Sequence, residues 1–212
     1  MVGLGENVHR VLEEIHSRAI SGSVTIEEEI PKIVAEKWVC VNPAMPGQEQ
    51  ELVDTAIKQI SRYLHEHSRS LSSVLKAEAN FSFNLDGQIV LGKIDLLKRE
   101  DNDSIEIVDF KTSKGPAKDI SIKDDRIDLQ LDLYALGAEK AMGLRVAKTT
   151  AHFLADGKRL TNEWSDDRKS HAILKLANIL DCIKRDEYSP DYSYCDYCWE
   201  FRKICPHRRS NN

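Results

Sequence analysis

The stretch "GKIDLLKREDNDSIEIVDFKTSKG", residues 92–115, predicts two β-strands joined by a tight polar turn. Apolar and polar residues alternate on both sides of the turn at residues 101–104, which is typical of a β-hairpin. Three charged residues interrupt the pattern, namely Asp95 in the first strand and Asp109 and Lys111 in the second. A charged side chain within a strand is costly unless a partner compensates it. We therefore expect these three residues to have a purpose beyond the fold.

Three helices are predicted upstream of this hairpin. Apolar residues recur with helical spacing over residues 6–20, 25–39 and 46–67. In the second helix, Thr25 is the candidate N-cap, and Pro31 is expected at a kink or in the first turn.

Strands are predicted over residues 74–84, 88–98 and 104–112, and the Asp86-Gly87 pair between the first two is a strong hairpin signal. The remaining predicted elements are a helix over 124–143, a strand over 147–155 with a short partner over 158–164, and a long helix over 166–186. This order predicts an α/β fold with a central mixed sheet, which contains an antiparallel meander and is flanked by helices.

The composition describes a globular protein with room for one sizeable core. The chain has 212 residues, of which 41% are hydrophobic and 31% are charged. No apolar run approaches the length of a membrane span and no leader is apparent, so we expect a cytoplasmic protein without a membrane partner. The net charge of −5 gives no argument for nucleic acid, so such binding would depend on a local surface.

Two acids and a lysine are expected to meet on one face of the sheet. Asp109 and Lys111 are two residues apart in a strand and share a face. If the two strands pair across their turn, Asp95 lies close to both. Such a cluster can bind a divalent cation through carboxylate oxygens and can place the lysine against developing negative charge. A salt-bridged strand pair, with Lys111 neutralising one aspartate, is the alternative.

Four motifs in order resemble the RecB-like branch of the PD-(D/E)xK nuclease superfamily. The segment "GLGENVHRVLEEIH" contains His9, Gly-x-x-Asp ends at Asp95, Asp-x-Lys covers residues 109–111, and "QLDLYALG" contains Gln130 and Tyr134. The four motifs together are far more specific than any one alone. The resemblance extends over residues 3–205 and implies a restriction-endonuclease-like core over residues 1–188.

The resemblance also implies the composition of the site. Mg²⁺ or Mn²⁺ would be held by His9, Asp95, Asp109 and the carbonyl oxygen of Phe110. Lys111 and the two aspartates would be catalytic.

Neighbouring residues are predicted with less support from the motifs. Gln130 and Tyr134 lie on one helix face and would contact substrate as part of the catalytic set, with plain packing as the alternative. Glu78 is explained as well by a salt bridge as by a place in the site. His16 matches no motif and is predicted to lie at the surface.

The implied function is hydrolysis of DNA phosphodiester bonds. The resemblance to nuclease domains of UvrD-like superfamily 1 helicases favours a single-strand exonuclease that acts with a helicase, in the same full-length chain, in DNA repair or recombination. Such a protein would be associated with the nucleoid. A catalytically weak DNA-binding clamp of a helicase–nuclease is the alternative.

Three cysteines cluster in the tail over residues 189–212, namely Cys195, Cys198 and Cys205. In an intracellular protein this clustering indicates a metal or iron–sulfur site before a disulfide. The spacing alone mildly favours zinc, with His207 as fourth ligand.

The resemblance instead implies a structural [4Fe–4S] cluster on these three cysteines. In the iron–sulfur members of that branch, a fourth cysteine precedes the helix that carries the histidine. Here no cysteine precedes His9, so the fourth ligand is Cys40 or His207, or the sequence is a fragment of a longer protein, which is the alternative we favour.

Overall fold

The protein is described by a computed structural model that covers residues 3–41, 43–116, 125–187 and 205. Its elements in chain order are α1 (Leu4–Ile20), α2 (Ile30–Lys37), α3 (Pro46–His67), β1 (Val74–Leu85), β2 (Gln88–Arg99), β3 (Ser104–Lys111), α4 (Asp125–Met142), β4 (Arg145–Phe153), β5 (Lys158–Glu163) and α5 (Asp166–Lys184). Short 3-10 helices cover Glu27–Glu29 and Ser68–Ser73.

The strands form one five-stranded sheet in the order β1-β2-β3-β4-β5. The pairs β1–β2, β2–β3 and β4–β5 are antiparallel, whereas β3 and β4 are parallel. A parallel pair needs a crossover connection, and α4 lies within the one that joins β3 to β4. The predicted α/β fold, a mixed sheet with an antiparallel meander, is confirmed.

The central strand β3 is buried along almost its whole length. The main core packs the apolar stripes of α1, α2 and α3 against the sheet, including Val8, Leu12 and Ile60 from helices and Leu96 and Val108 from strands. This burial removes apolar area from water and is the main stabilising contribution to the fold. A charged side chain in the buried part of β3 is therefore largely removed from water.

Two local predictions are wrong. The second helix begins at Ile30, after the short 3-10 helix, so Thr25 is not its N-cap, while Pro31 does lie in its first turn. His16 is buried, with 1% of its surface exposed, rather than at the surface. It lies four residues after Leu12 and so shares the buried face of α1. Its Nε2 atom lies 2.8 Å from the hydroxyl oxygen of Tyr63, which makes the burial tolerable.

The chain divides into two compact units, Met1–Ala172 and Ile173–Asn212, and the division falls inside α5. The sheet lies in the first unit. Within the second unit, Arg185 pairs with Asp181 and Glu187 near the end of α5. The predicted tail over residues 189–212 falls outside the described residues except for Cys205, which is exposed and carries a free thiol. Among the helices described, none has the length and apolar character needed to cross a bilayer.

Candidate active site

The site forms where β2 and β3 stop pairing with each other. Their ladder of paired residues ends at Leu96 opposite Val108. Just beyond this last pair, the Oδ2 atom of Asp95 accepts a 2.8 Å hydrogen bond from the backbone N–H of Phe110. A side-chain carboxylate thus replaces a backbone carbonyl as the acceptor. Asp95 and Asp109, which would face each other if the ladder continued, lie at the fork between the two strands.

Glu78 joins the site through an unusual backbone conformation. The β1–β2 ladder omits Glu78 and Asp95, although the residues on either side of them pair. Glu78 has a φ of 48°, which is costly for a residue other than glycine and persists only where the surroundings fix it. Its Oε1 atom lies 3.8 Å from Nδ1 of His9, and its other oxygen pairs with the ammonium group of Lys93.

His9 projects from α1 towards Asp95 and Glu78. Its Nε2 atom lies 3.2 Å from the carbonyl oxygen of Phe110, and its Nδ1 atom lies 3.4 Å from Oδ1 of Asp95. Burial alone would lower the pKa of His9, but hydrogen bonding and charge from Asp95 and Glu78 outweigh it and raise the pKa to about 10. In the absence of a metal, the ring is therefore a cation at neutral pH.

Asp109 is the most deeply buried acid of the site, with 2% of its surface exposed. Burial, followed by repulsion from Asp95, raises its pKa to about 6 although Lys111 opposes the shift. The Nζ atom of Lys111 lies 2.8 Å from Oδ2 of Asp109 as an ion pair. Within the described part of the chain, this buried oxygen has no hydrogen bond of good geometry, so the ion pair with Lys111 compensates its charge.

A chain of hydrogen bonds connects Lys111 to α4. The Nζ atom of Lys111 donates to Oε1 of Gln130 at 2.7 Å, and Nε2 of Gln130 donates to the hydroxyl oxygen of Tyr134 at 2.8 Å. Burial raises the pKa of Tyr134 to about 12, so the phenol stays protonated. The amide of Gln130 is therefore oriented from both ends, and it fixes the position of the ammonium group.

Two glycines allow α4 to approach the sheet at this point. A Cβ atom on Gly137 would lie 2.5 Å from Cδ2 of Phe81, and one on Gly92 would overlap the tip of the same ring. The ring of Phe81 also contacts Tyr134 edge-on, with centroids 6.1 Å apart. Gly92 and Gly137 are motif residues, and their steric role is to seat the aromatic ring that supports Tyr134.

All seven residues predicted for the site line one pocket of about 660 Å³. They are His9, Asp95, Asp109, Phe110, Lys111, Gln130 and Tyr134. Glu78, which the sequence left undecided, lines the same pocket.

Arg10 and Lys93 also line the pocket, and the sequence analysis missed both. The place of Lys93 in the pocket is predictable from the sequence, because it lies two residues before Asp95 and therefore on the same strand face.

The donor set fits a hard divalent cation. One ligand atom each from His9, Glu78 and Asp95 lies within 4.8 Å of the other two. Asp109 adds a buried carboxylate oxygen that has the ion pair with Lys111 but no hydrogen bond of good geometry within the described residues, so it can also accept a cation. Carboxylate and carbonyl oxygens suit hard divalent cations better than softer ions.

The chain is similar in sequence to one protein family and in fold to solved structures. The family model described as the PD-(D/E)XK nuclease superfamily matches residues 3–206. Among solved structures, a "Putative exonuclease" from Eubacterium rectale is 14% identical, with a TM-score of 0.51 over 90% of this chain and 74% of that one. The crystal structure of SSO0001 is 16% identical, with a TM-score of 0.46 over 96% and 86% of the two chains. No curated protein matches the chain.

Proposed function

Because the chain belongs to the PD-(D/E)XK nuclease superfamily, we propose that it is a deoxyribonuclease that requires Mg²⁺ or Mn²⁺. The observation that carries the proposal is the meeting of Asp95, Asp109 and Lys111 in one pocket, where Asp109 is 2% exposed and forms an ion pair with Lys111. Two acids and a lysine at a strand fork are a costly arrangement for a purely structural purpose. A cation and a phosphate together would compensate all three charges.

We assign the cation to His9, Asp95, Asp109 and the carbonyl oxygen of Phe110, with Glu78 as a neighbouring acid. When bound, the ion would supply an acidified water as nucleophile and would neutralise charge on the phosphate. Without it, the carboxylates repel a phosphate group. The two aspartates are fixed for this purpose, since one is held by the backbone of Phe110 and the other by burial in β3.

Lys111 acts on the substrate side of the pocket in this proposal. Its ammonium group would donate to a phosphate oxygen, or hold the attacking water, as negative charge develops. Gln130 keeps the ammonium group in place through the 2.7 Å hydrogen bond, and Tyr134 keeps Gln130 in place. Arg10 and Lys93 add positive charge to the lining of a pocket that is otherwise acidic.

The depth of the acids supports a single-stranded substrate. Asp95 and Asp109 are both buried, so a scissile phosphate has to enter the pocket to reach them. A backbone freed from the duplex enters more readily than one held in a double helix. We further propose exonuclease action, since the similar structure from Eubacterium rectale is named a "Putative exonuclease".

The RecB-like motifs support two finer proposals. One is that a helicase supplies the single strand in DNA repair or recombination. The other is that Cys195, Cys198 and Cys205 hold a structural [4Fe–4S] cluster. Iron and acid-labile sulfide analysis of protein purified without oxygen tests the cluster, and stoichiometric zinc without iron would refute it.

Cleavage of end-labelled DNA tests the activity and its polarity. Single- and double-stranded oligonucleotides that carry a label at the 5′ or the 3′ end are incubated with Mg²⁺, Mn²⁺ or chelator. We expect metal-dependent degradation that is fastest on single strands and releases short products from one end. Internal cleavage of a circular single strand would contradict the exonuclease proposal, and binding without any cleavage would leave only the DNA clamp.

A further inference from the structure

A second group of potential metal ligands lies outside the active site. Glu66 and His67 stand in the last turn of α3, and His152 stands near the end of β4. One ligand atom from each of these side chains lies within 4.8 Å of the other two. Two imidazoles and a carboxylate form a donor set that zinc and neighbouring transition-metal ions use in proteins.

The polar atoms of these three side chains have no other partner in the part of the chain that the structure describes. None of the three side chains makes a hydrogen bond or an ion pair within the described residues. His152 is only 2% exposed, and its ring contacts His67 with centroids 5.0 Å apart. The His152 ring is almost wholly buried and its nitrogens have no protein partner among the described residues, so a bound cation would give them one. This unpartnered group is an observation independent of the clustering.

The protonation states favour metal binding. Burial, then the charges of His67, Arg159 and Lys98, lower the pKa of His152 to about 3, and burial also lowers the pKa of His67. Both rings are therefore neutral at pH 7 and have a lone pair available.

The nearby charges are largely compensated. Arg159 pairs with Glu106 at 2.5 Å, and Lys98 lies 4.0 Å from the same carboxylate. The end of α3 adds the negative end of a helix dipole, which favours a cation.

The geometry requires only a small adjustment. Donors about 2.1 Å from a tetrahedral ion lie roughly 3.4 Å apart, so they have to approach from their present separations. His152 is fixed by its burial, whereas Glu66 is exposed and His67 is half-buried, so these two can turn towards it. The carboxylate of Glu66 lies over Gly157, where a Cβ atom would be 3.3 Å from Oε2.

We propose that Glu66, His67 and His152 bind a transition-metal cation, with Zn²⁺ as the ion of matching chemistry. This site lies near the catalytic pocket, because the ring of Phe110 contacts both His152 and His9, at centroid distances of 5.8 and 6.5 Å. The ion would tie the end of α3 to β4 and would stabilise the fold. None of its three ligands lines the catalytic pocket.

Zinc titration of the full chain tests the site. Cys195, Cys198 and Cys205 are replaced by serine to remove their thiolates, and Zn²⁺ is titrated in competition with a chromophoric chelator. We expect the affinity of one zinc equivalent to fall at least tenfold in Glu66→Gln and in His67→Ala, because each removes a ligand. In the parent chain, that equivalent should also raise the melting temperature. His9→Ala identifies any equivalent that belongs to the catalytic pocket.

A matched control and a second variant keep the test decisive. His65→Ala changes an exposed histidine on the same helix turn that pairs with Glu27, and it should leave the zinc isotherm unchanged. His152→Gln removes the buried ligand, and its isotherm should match that of His67→Ala if it folds. A zinc isotherm that is the same in the parent chain, in Glu66→Gln and in His67→Ala would overturn the proposal.

Discussion

The carboxylate of Asp95 accepts a 2.8 Å hydrogen bond from the backbone N–H of Phe110, at the position where the β2–β3 ladder has ended. The carbonyl oxygen of Phe110 lies 3.2 Å from the Nε2 atom of His9. The backbone of β3 is thereby part of the site.

Asp109→Asn should stabilise the metal-free protein while abolishing cleavage. The pKa of this carboxyl rises from 3.8 to about 6 on folding. As pH rises between these two pKa values, the unfolded state loses this proton before the folded state does. The free-energy cost of the buried carboxylate to the folded state therefore grows over this pH range and is complete above it. Two pKa units correspond to roughly 3 kcal/mol, a net figure that already includes the opposing ion pair with Lys111. In chelator at pH 7.5, we expect urea denaturation to give Asp109→Asn a free energy of unfolding about 1–3 kcal/mol above that of the wild type. The gain should shrink towards pH 4, and an equal gain at both pH values would contradict this origin.

Binding of the catalytic cation should displace a proton from His9. The pKa of about 10 makes the ring a cation in the metal-free site, whereas a ligand imidazole has to be neutral. Calorimetric titration with Mn²⁺ at pH 7.5, in two buffers of different ionisation enthalpy, should give about one proton released per ion. His9→Asn should bind Mn²⁺ more weakly and release almost none. Equal release from both proteins would exclude His9 as a ligand.

Gly137→Ala should destabilise the protein, although alanine is the better helix former. In an exposed helix interior, this change would raise the free energy of unfolding by about 1 kcal/mol. Here the new Cβ atom would lie 2.5 Å from the ring of Phe81, and overpacking of this kind costs about 1–3 kcal/mol. Gly47→Ala is the matched control, because it lies in α3 with no neighbouring atom within 4 Å. Thermal unfolding should shift down for the first variant and not for the second.

Gln130→Met should lower kcat with little change in KM. The substitution keeps the length of the side chain but removes the acceptor that holds the ammonium group of Lys111. We expect a loss of about tenfold, against about a hundredfold or more for Lys111→Ala. Tyr134→Phe should cost less than either, because it removes only the acceptor for Nε2 of Gln130. An effect confined to KM would instead indicate substrate contact without positioning of Lys111.

The sequence predicts the elements best where local chemistry determines them. The helix over residues 46–67 is confirmed at both ends, with Pro46 in its first turn. The Asp86-Gly87 turn is confirmed as well, since both residues have positive φ values of 51° and 81°. The shared face of Asp109 and Lys111 is also predictable from the sequence, because residues two apart in a strand lie on the same face.

Other features depend on contacts that no local pattern contains. Glu78 reaches the pocket through a left-handed backbone conformation, and its sequence neighbourhood reads as plain strand. His16 is buried because the hydroxyl group of Tyr63, 47 residues away, satisfies its ring. Gly92 and Gly137 match motifs, but their contact with one phenyl ring is visible only in three dimensions.

The most direct test of the proposed activity compares the wild type with Asp109→Ala on end-labelled single-stranded DNA. Both proteins are purified identically and assayed with Mg²⁺, with Mn²⁺ and with chelator, after DNA binding has been measured for each. We predict metal-dependent cleavage by the wild type, none in chelator, and a loss of about a hundredfold or more in Asp109→Ala with DNA affinity largely retained. Equal cleavage by the two proteins, or cleavage by the wild type that persists in chelator, would contradict a metal-dependent active site at Asp109.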